Sequence, residues 1–122
     1  MFHILVVDDD KNTRQLIKAV LETENYIVIG ATDGEDALKV LDRSHIDLVI
    51  LDVMMPKMDG YEFTEILRRV QNELPILMVS AKQLPADRNK GFIVGTDDFM
   101  TNRLTKRNYS YVLRHYYGGL RL

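Results

Sequence analysis

A chain of 122 residues, 46% of them hydrophobic, is long enough to bury one core of ordinary size and short for two linked domains. Sixteen lysines and arginines against eighteen aspartates and glutamates give a formal net charge of −2, which indicates neither a nucleic-acid surface nor a membrane-binding patch. The absence of cysteine excludes disulfides and thiolate zinc sites, and the lack of a bilayer-length apolar run or a signal-peptide pattern predicts a cytoplasmic domain.

The first predicted unit is a strand followed by a helix. Residues 4–7 form an apolar run that ends at Asp8, Asp9 and Asp10. Either Asp10 or Asn12 can cap the helix that follows. The predicted apolar face of this helix consists of Leu16, Ile17, Val20 and Leu21.

The second unit repeats this pattern. Residues 26–29 are apolar and β-branched, and glycines within residues 30–34 are expected to break the strand. A helix is predicted at residues 35–41. Its apolar face consists of Ala37, Leu38 and Leu41.

The third unit is the stretch IDLVILDVMMPKMDG at residues 46–60. Its run of four apolar residues stops at Asp52, and the chain turns through Pro56 and Gly60 into a helix at residues 61–70. The residues expected to face inward from this helix are Phe63, Ile66, Leu67 and Val70.

The rest of the chain continues the alternation. A fourth strand at residues 76–79 ends at Ser80, a fourth helix is predicted at 86–94, and a short fifth strand at 98–101. A weaker helical pattern begins at Asn102. Strands that alternate with helices in this way predict an α/β fold, with a doubly wound, five-stranded parallel sheet and helices on both faces.

The carboxyl ends of parallel strands meet at one edge of the sheet, so Asp8, Asp9, Asp52 and Ser80 are expected to converge. The triplet that ends in Asp10 could by itself be a plain helix cap, but three crowded carboxylates repel one another and favour a hard divalent cation such as Mg²⁺. A carboxylate beside such an ion can act as a nucleophile and form an aspartyl phosphate. Asp52 is the best placed for this role.

These motifs together resemble the receiver domain of two-component response regulators. The resemblance rests on the acidic pair after the first strand, LDVMMPKMDG around Asp52, the Ser80-Ala81 step and GTDDFMT at residues 95–101. It covers residues 2–101 and is closest to receivers that precede a winged-helix DNA-binding domain. It implies the flavodoxin-like strand order 2-1-3-4-5.

The resemblance also implies a phosphoryl-accepting site. Asp52 would accept a phosphoryl group from a sensor histidine kinase, in two-component phosphorelay signalling that regulates transcription. Mg²⁺ would be held by Asp9, Asp52 and the backbone carbonyl of Met54, and by Asp8 through water. The domain would be a phosphoacceptor switch with slow autodephosphorylation, and not an enzyme in the ordinary sense.

The implied switch involves residues beyond the acceptor. Ser80 would turn its hydroxyl toward the phosphoryl group, and Phe99 would be the aromatic residue that moves inward with it. A homodimer through the face of the fourth helix, fifth strand and fifth helix is implied as well, although half of that face lies in the tail. Direct contact with nucleic acid or membrane is not expected.

The tail departs from the family pattern. Receivers of this type continue after the fifth strand with lysine and proline, where this chain has Asn102 and Arg103 after Thr101. Asparagine has no charge to pair with the acceptor carboxylate or the phosphoryl group. We therefore divide the chain into a receiver core at residues 1–101 and an atypical tail at 102–122, in place of the usual last loop and fifth helix.

A frameshift would explain this tail. Codons for residues 102–122 can be chosen, within codon degeneracy, so that one added base before Asn102 makes them encode KPIDEEELLLRIKALLRRAKI, which restores the lysine-proline step and an amphipathic helix. The tail as it stands can still form an improvised helix at residues 105–117. We expect this helix to pack less well, because buried tyrosine hydroxyls need hydrogen-bond partners.

Other functions and simpler roles remain open at this point. The missing lysine allows a phosphorylation-independent or signalling-impaired interaction module. A phosphohydrolase is disfavoured, because such enzymes usually have a second acid where this chain has Met54. Ser80 could be a plain turn hydroxyl and Phe99 a plain core residue. Met58 is expected to be an exposed loop residue.

Overall fold

Five parallel strands form one sheet in the computed structural model, which describes residues 2–52, 57–70, 73–80 and 98–101. The strands are β1 (His3–Val7), β2 (Ile27–Ala31), β3 (Leu48–Asp52), β4 (Ile76–Ser80) and β5 (Asp98–Thr101). Their order is β2-β1-β3-β4-β5 and every neighbouring pair is parallel. The predicted α/β fold and strand order are confirmed.

Each of the three helices in the described residues begins after an aspartate. The helices are α1 (Lys11–Glu22), α2 (Gly34–Arg43) and α3 (Gly60–Val70). Carboxylates accept hydrogen bonds from first-turn amides, at 3.3 Å for Asp10, 2.8 Å for Asp33 and 2.9 Å for Asp59. These bonds satisfy amides that a helix leaves unpaired at its start. Of the two caps that the sequence allows for α1, the structure uses Asp10.

The sheet separates two hydrophobic clusters, because alternate strand residues point to opposite faces. On one face, α1 contributes Ile17, Val20 and Leu21. On the other face, α2 and α3 contribute Ala37, Val40, Phe63 and Leu67. The first four residues of β3 are buried between these layers, which explains why they form a continuous apolar run.

Strand β2 runs further than predicted. The prediction ended it at Ile29, but Gly30 pairs with Val6 and Ala31 pairs with Val7. The expected break at the glycine is therefore wrong. Pairing with the neighbouring strand β1 outweighs the weak strand preference of a single glycine.

Two residues predicted to face the core are exposed instead. Leu16 is 58% exposed and Val70 is 73% exposed. The buried face of α1 is centred near Ile17, and Leu16 lies about 100° around the helix axis from it. Val70 is the last residue of α3 and lies a turn beyond Leu67, the last fully buried residue of that helix.

Part of the prediction lies outside the described residues, namely the helix at 86–94 and the tail from Asn102 with its helix at 105–117. The backbone of β5 occupies the residues predicted for it. Within the described ranges, no helix is long and apolar enough to cross a membrane.

Candidate functional site

Acidic residues lie at the carboxyl ends of two adjacent strands. The register of β1 and β3 places Val7 beside Leu51. Asp8 follows Val7 and Asp52 follows Leu51, so parallel pairing brings both carboxylates to the same edge of the sheet. Asp9 follows directly, and one carboxylate oxygen from each of the three aspartates lies within 4.8 Å of the others.

Two of these carboxylates are largely buried. Asp8 is 3% exposed and Asp52 is 9% exposed, whereas Asp9 is on the surface. Burial raises the pKa of Asp8, the hydrogen bond from the amide of Asp10 lowers it, and the charges of Asp9 and Asp10 raise it, with a net upward shift. Burial and crowding thus disfavour the ionised carboxyl, and a cation among the three aspartates would remove that cost.

The donor atoms fit a hard divalent cation. Among the described residues, this is the one group of three acidic, histidine or cysteine side chains that lie close enough to hold an ion. Three carboxylates are the kind of oxygen donor that Mg²⁺ prefers, whereas Zn²⁺ sites are typically built from nitrogen and sulfur.

The acidic loop is held by hydrogen bonds on each side of Asp8. Its amide donates to the carbonyl of Ala31 at 3.1 Å, and its Oδ1 accepts from the amide of Asp10 at 2.9 Å. Its carbonyl accepts from Nη1 of Arg14 at 2.7 Å. Sequence reasoning missed Arg14, because its spacing of four residues from Asp10 indicates at most a pair on the helix surface and not a contact with the Asp8 carbonyl.

For the remaining predicted site residues, the structure describes either the backbone alone or no part of the residue. The register of β3 and β4 puts the backbone of Ser80 one residue beyond the partner of Asp52, at the same edge of the sheet. The backbone of Phe99 lies in β5. Met54 and Asn102 lie outside the described residues. The functional roles of these residues stay predictions.

The loop between β3 and α3 contacts the start of α2. A Cβ atom built on Gly34 would lie 2.8 Å from Sδ of Met58 and 3.3 Å from Cδ1 of Phe63. Met58 is partly buried and packs against the core, so the prediction that it is exposed is wrong. A flexible thioether fills irregular gaps of this kind well, and here it ties the loop near Asp52 to the core.

Comparison with known proteins gives the family. A family model described as the response regulator receiver domain matches residues 4–112. The chain therefore belongs to the response regulator receiver domains. This confirms the resemblance found in the sequence motifs, and the match extends past Thr101 into the atypical tail of this receiver.

Two curated relatives are transcriptional regulators. The receiver is 44% identical over 104 residues to the alkaline phosphatase synthesis transcriptional regulatory protein PhoP of Bacillus subtilis (strain 168), which is 85% of this chain and 43% of that protein. It is 43% identical over 107 residues to the transcriptional regulatory protein CpxR of Escherichia coli (strain K12), with 88% and 45% covered. The chain thus spans less than half the length of these relatives.

A solved structure supports the same fold. The chemotaxis protein CheY4 of Vibrio cholerae, crystallised at low pH, aligns with a TM-score of 0.89 and 30% identity. The alignment covers 93% of this receiver and 97% of that chain. This likeness supports the receiver fold for the part of the chain that the structure describes.

Proposed function

We propose that this receiver accepts a phosphoryl group on Asp52 from the phosphohistidine of a sensor histidine kinase. The observation that carries the proposal is the position of Asp52, which is 9% exposed at the end of β3 and lies within 4.8 Å of the Asp8 and Asp9 carboxylates. The names of PhoP and CpxR favour a role in transcription regulation, and a cytoplasmic location follows from that role.

In the proposed reaction, an oxygen of the ionised Asp52 carboxylate attacks phosphorus and the phosphorus–nitrogen bond of the phosphohistidine breaks. The imidazole nitrogen keeps the electron pair of that bond, and Asp52 becomes an acyl phosphate. The incoming group adds negative charge to an edge where three carboxylates already lie close together. The reaction therefore needs compensating positive charge.

Mg²⁺ is the proposed cofactor. Asp9 and Asp52 would hold it directly, Asp8 through water, and the backbone carbonyl of Met54 would complete the protein ligands. When bound, the ion would supply the positive charge that compensates the phosphoryl group. The buried Asp8 helps to keep the edge of the sheet acidic, and its hydrogen bond to the Asp10 amide fixes its direction.

The proposed output is a conformational switch with slow loss of the phosphoryl group. Ser80 would turn toward the phosphorylated Asp52, and Phe99 would move with it. A homodimer through the predicted fourth helix, β5 and the tail belongs to the same proposal. Asn102 cannot pair with the phosphoryl group as a lysine would, so we expect phosphoryl acceptance to be retained better than switching.

The proposal is tested with a small phosphodonor such as acetyl phosphate. The receiver is incubated with the donor and Mg²⁺, and intact mass is measured for the parent chain, for Asp52→Asn and for the parent in EDTA. We expect the mass of one phosphoryl group to appear on the parent with Mg²⁺ only. Asp42→Asn, which alters an exposed aspartate of α2, is the matched control and should be phosphorylated like the parent.

The result also separates this function from its rival. A parent chain that gains no phosphoryl group in the presence of Mg²⁺ would contradict the proposal and favour a phosphorylation-independent interaction module. A phosphoryl gain that persists in Asp52→Asn would contradict the assignment of the acceptor.

A further inference from the structure

Arg14 holds the acidic loop from the adjacent helix. Its Nη1 donates to the carbonyl of Asp8 at 2.7 Å. Its stem lies against β2, because a Cβ atom built on Gly30 would be 3.1 Å from Cδ of Arg14 and 3.4 Å from Cγ and Nε. The side chain is half-buried. Arg14 therefore lies between the glycine of β2 and the backbone of the acidic loop.

The contact between Arg14 and the Asp8 carbonyl also orients the peptide group that leads to Asp9. That carbonyl and the amide of Asp9 belong to one planar peptide group. The orientation of this group sets the direction in which the Asp9 side chain leaves the loop. The amide of Asp8 is held by Ala31 at 3.1 Å, so with Arg14 the backbone is fixed on both sides of Asp8.

We propose that Arg14 is a positioning residue that preorganises the acidic cluster of Asp8, Asp9 and Asp52 for a divalent cation. The inference rests on the proposed function, since it takes the cluster to bind Mg²⁺. Arg14 acts through the backbone that carries the ligands and does not contact the ion. Groups in this outer position orient the ligands, and their loss lowers metal affinity.

The charge of Arg14 and its hydrogen bond to the loop have opposite effects on the affinity of the acidic cluster for Mg²⁺. The positive charge of the guanidinium acts to lower the pKa of Asp8 and of Asp10. The same charge repels a cation that enters the acidic cluster. Removing the charge alone would strengthen Mg²⁺ binding. Losing the hydrogen bond to the loop would weaken it. The sign of the change therefore separates the two effects.

The test measures Mg²⁺ affinity by isothermal titration calorimetry. We expect Arg14→Ala to bind Mg²⁺ about tenfold more weakly than the parent. Lys18→Ala removes an exposed positive charge from the same helix and is the control, with an affinity close to that of the parent. Gly30→Val keeps the charge of Arg14 but adds a side chain that presses against its stem and has to shift it, and valine suits a strand. We expect it to weaken binding as well.

A double variant tests whether the two changes act through the same contact. In the Arg14→Ala background, Gly30→Val should have no further effect, because no stem is left to displace. An equal loss in both backgrounds would overturn the proposal. Unfolding midpoints in EDTA show whether each variant is folded, and if Arg14→Ala does not fold, the affinity of Gly30→Val decides.

The outcomes also distinguish this inference from the proposed function. If the parent binds Mg²⁺ and folded Arg14→Ala binds it equally or more tightly, Arg14 is not a positioning residue, while the proposed function stands. If the parent chain does not bind Mg²⁺, both proposals fail.

Discussion

Replacing Asp8 by asparagine would remove a buried charge and keep its hydrogen bond. Oδ1 of Asp8 accepts from the amide of Asp10 at 2.9 Å, and the amide oxygen of asparagine can accept the same bond. Burial and the neighbouring carboxylates raise the pKa of Asp8, so its ionised form is disfavoured. We therefore expect Asp8→Asn to be more stable than the parent at pH 7 in EDTA.

The size of this gain follows from the distances between the carboxylates. At 4.8 Å, the upper limit of separation within this cluster, two unit charges repel by about 0.9 kcal/mol in a medium of dielectric constant about 80, and by about 3.5 kcal/mol at about 20. Asp9 is exposed and screened by solvent, whereas Asp52 is largely buried. We expect a gain of about 1 to 2 kcal/mol in the free energy of unfolding.

The gain should depend on pH in a definite direction. Below the ordinary value of 3.8, Asp8 is protonated in the folded and the unfolded chain, and the substitution gains nothing. As pH rises from 3.8 through the raised pKa of the folded state, the unfolded chain releases its proton first, so the parent loses stability. The advantage of Asp8→Asn grows over this window and is constant above it.

Urea unfolding followed by circular dichroism, at a series of pH values in EDTA, measures this difference. Asp42→Asn, on the exposed side of α2, is the control and should show no comparable gain. Adding Mg²⁺ should stabilise the parent more than Asp8→Asn. A variant that is less stable than the parent at pH 7, or a gain that does not vary with pH, would refute the reasoning.

Three further predictions concern other parts of the molecule. Asp47→Asn should cost about 1 kcal/mol in urea unfolding at pH 7, because asparagine can still accept from the amide of His3 (2.8 Å) but lacks the charge that strengthens this bond and the bond to the ring of His45 (2.7 Å). Burial raises the pKa of Asp47, but these hydrogen bonds outweigh burial and leave the pKa below its ordinary value of 3.8. The loss of stability in Asp47→Asn is therefore fully present above pH 3.8 and disappears as pH falls through the lowered pKa. A loss of stability that does not vary with pH would argue against this role of Asp47. Thr64→Val should cost about 1 kcal/mol, because the buried hydroxyl donates to a helix carbonyl at 2.8 Å, and an unchanged unfolding free energy would count against that bond. Replacing residues 102–122 by KPIDEEELLLRIKALLRRAKI should strengthen phosphorylation-dependent dimerisation, measured by light scattering, and an unchanged mass distribution would speak against a dimer face that includes the replaced segment.

The parts of the fold that the sequence predicts well are those fixed by burial. The first four residues of β3 are buried and apolar because helices cover both faces of the sheet, and this run predicts the strand and the position of Asp52 at its end. Because the carboxyl ends of parallel strands lie at one edge of the sheet, the sequence also predicts that Asp8 lies near Asp52. The cap at Asp10 follows from local hydrogen bonding in the same way.

The parts that the sequence did not predict depend on tertiary contacts. Gly30 remains in β2 because its backbone pairs with β1. Met58 is partly buried because the start of α2 approaches it, and no local pattern encodes that approach. Arg14 reads as an ordinary polar residue of an amphipathic helix, and only the folded chain brings its guanidinium to the Asp8 carbonyl.

The central claim is that Asp52 accepts the phosphoryl group, and mapping the acceptor tests it most directly. The receiver is phosphorylated by a small phosphodonor with Mg²⁺, reduced with borohydride, which converts an aspartyl phosphate to homoserine, and sequenced by tandem mass spectrometry. We predict homoserine at position 52 and unmodified aspartate at Asp8 and Asp9. Homoserine at another aspartate, or at none, would contradict the account.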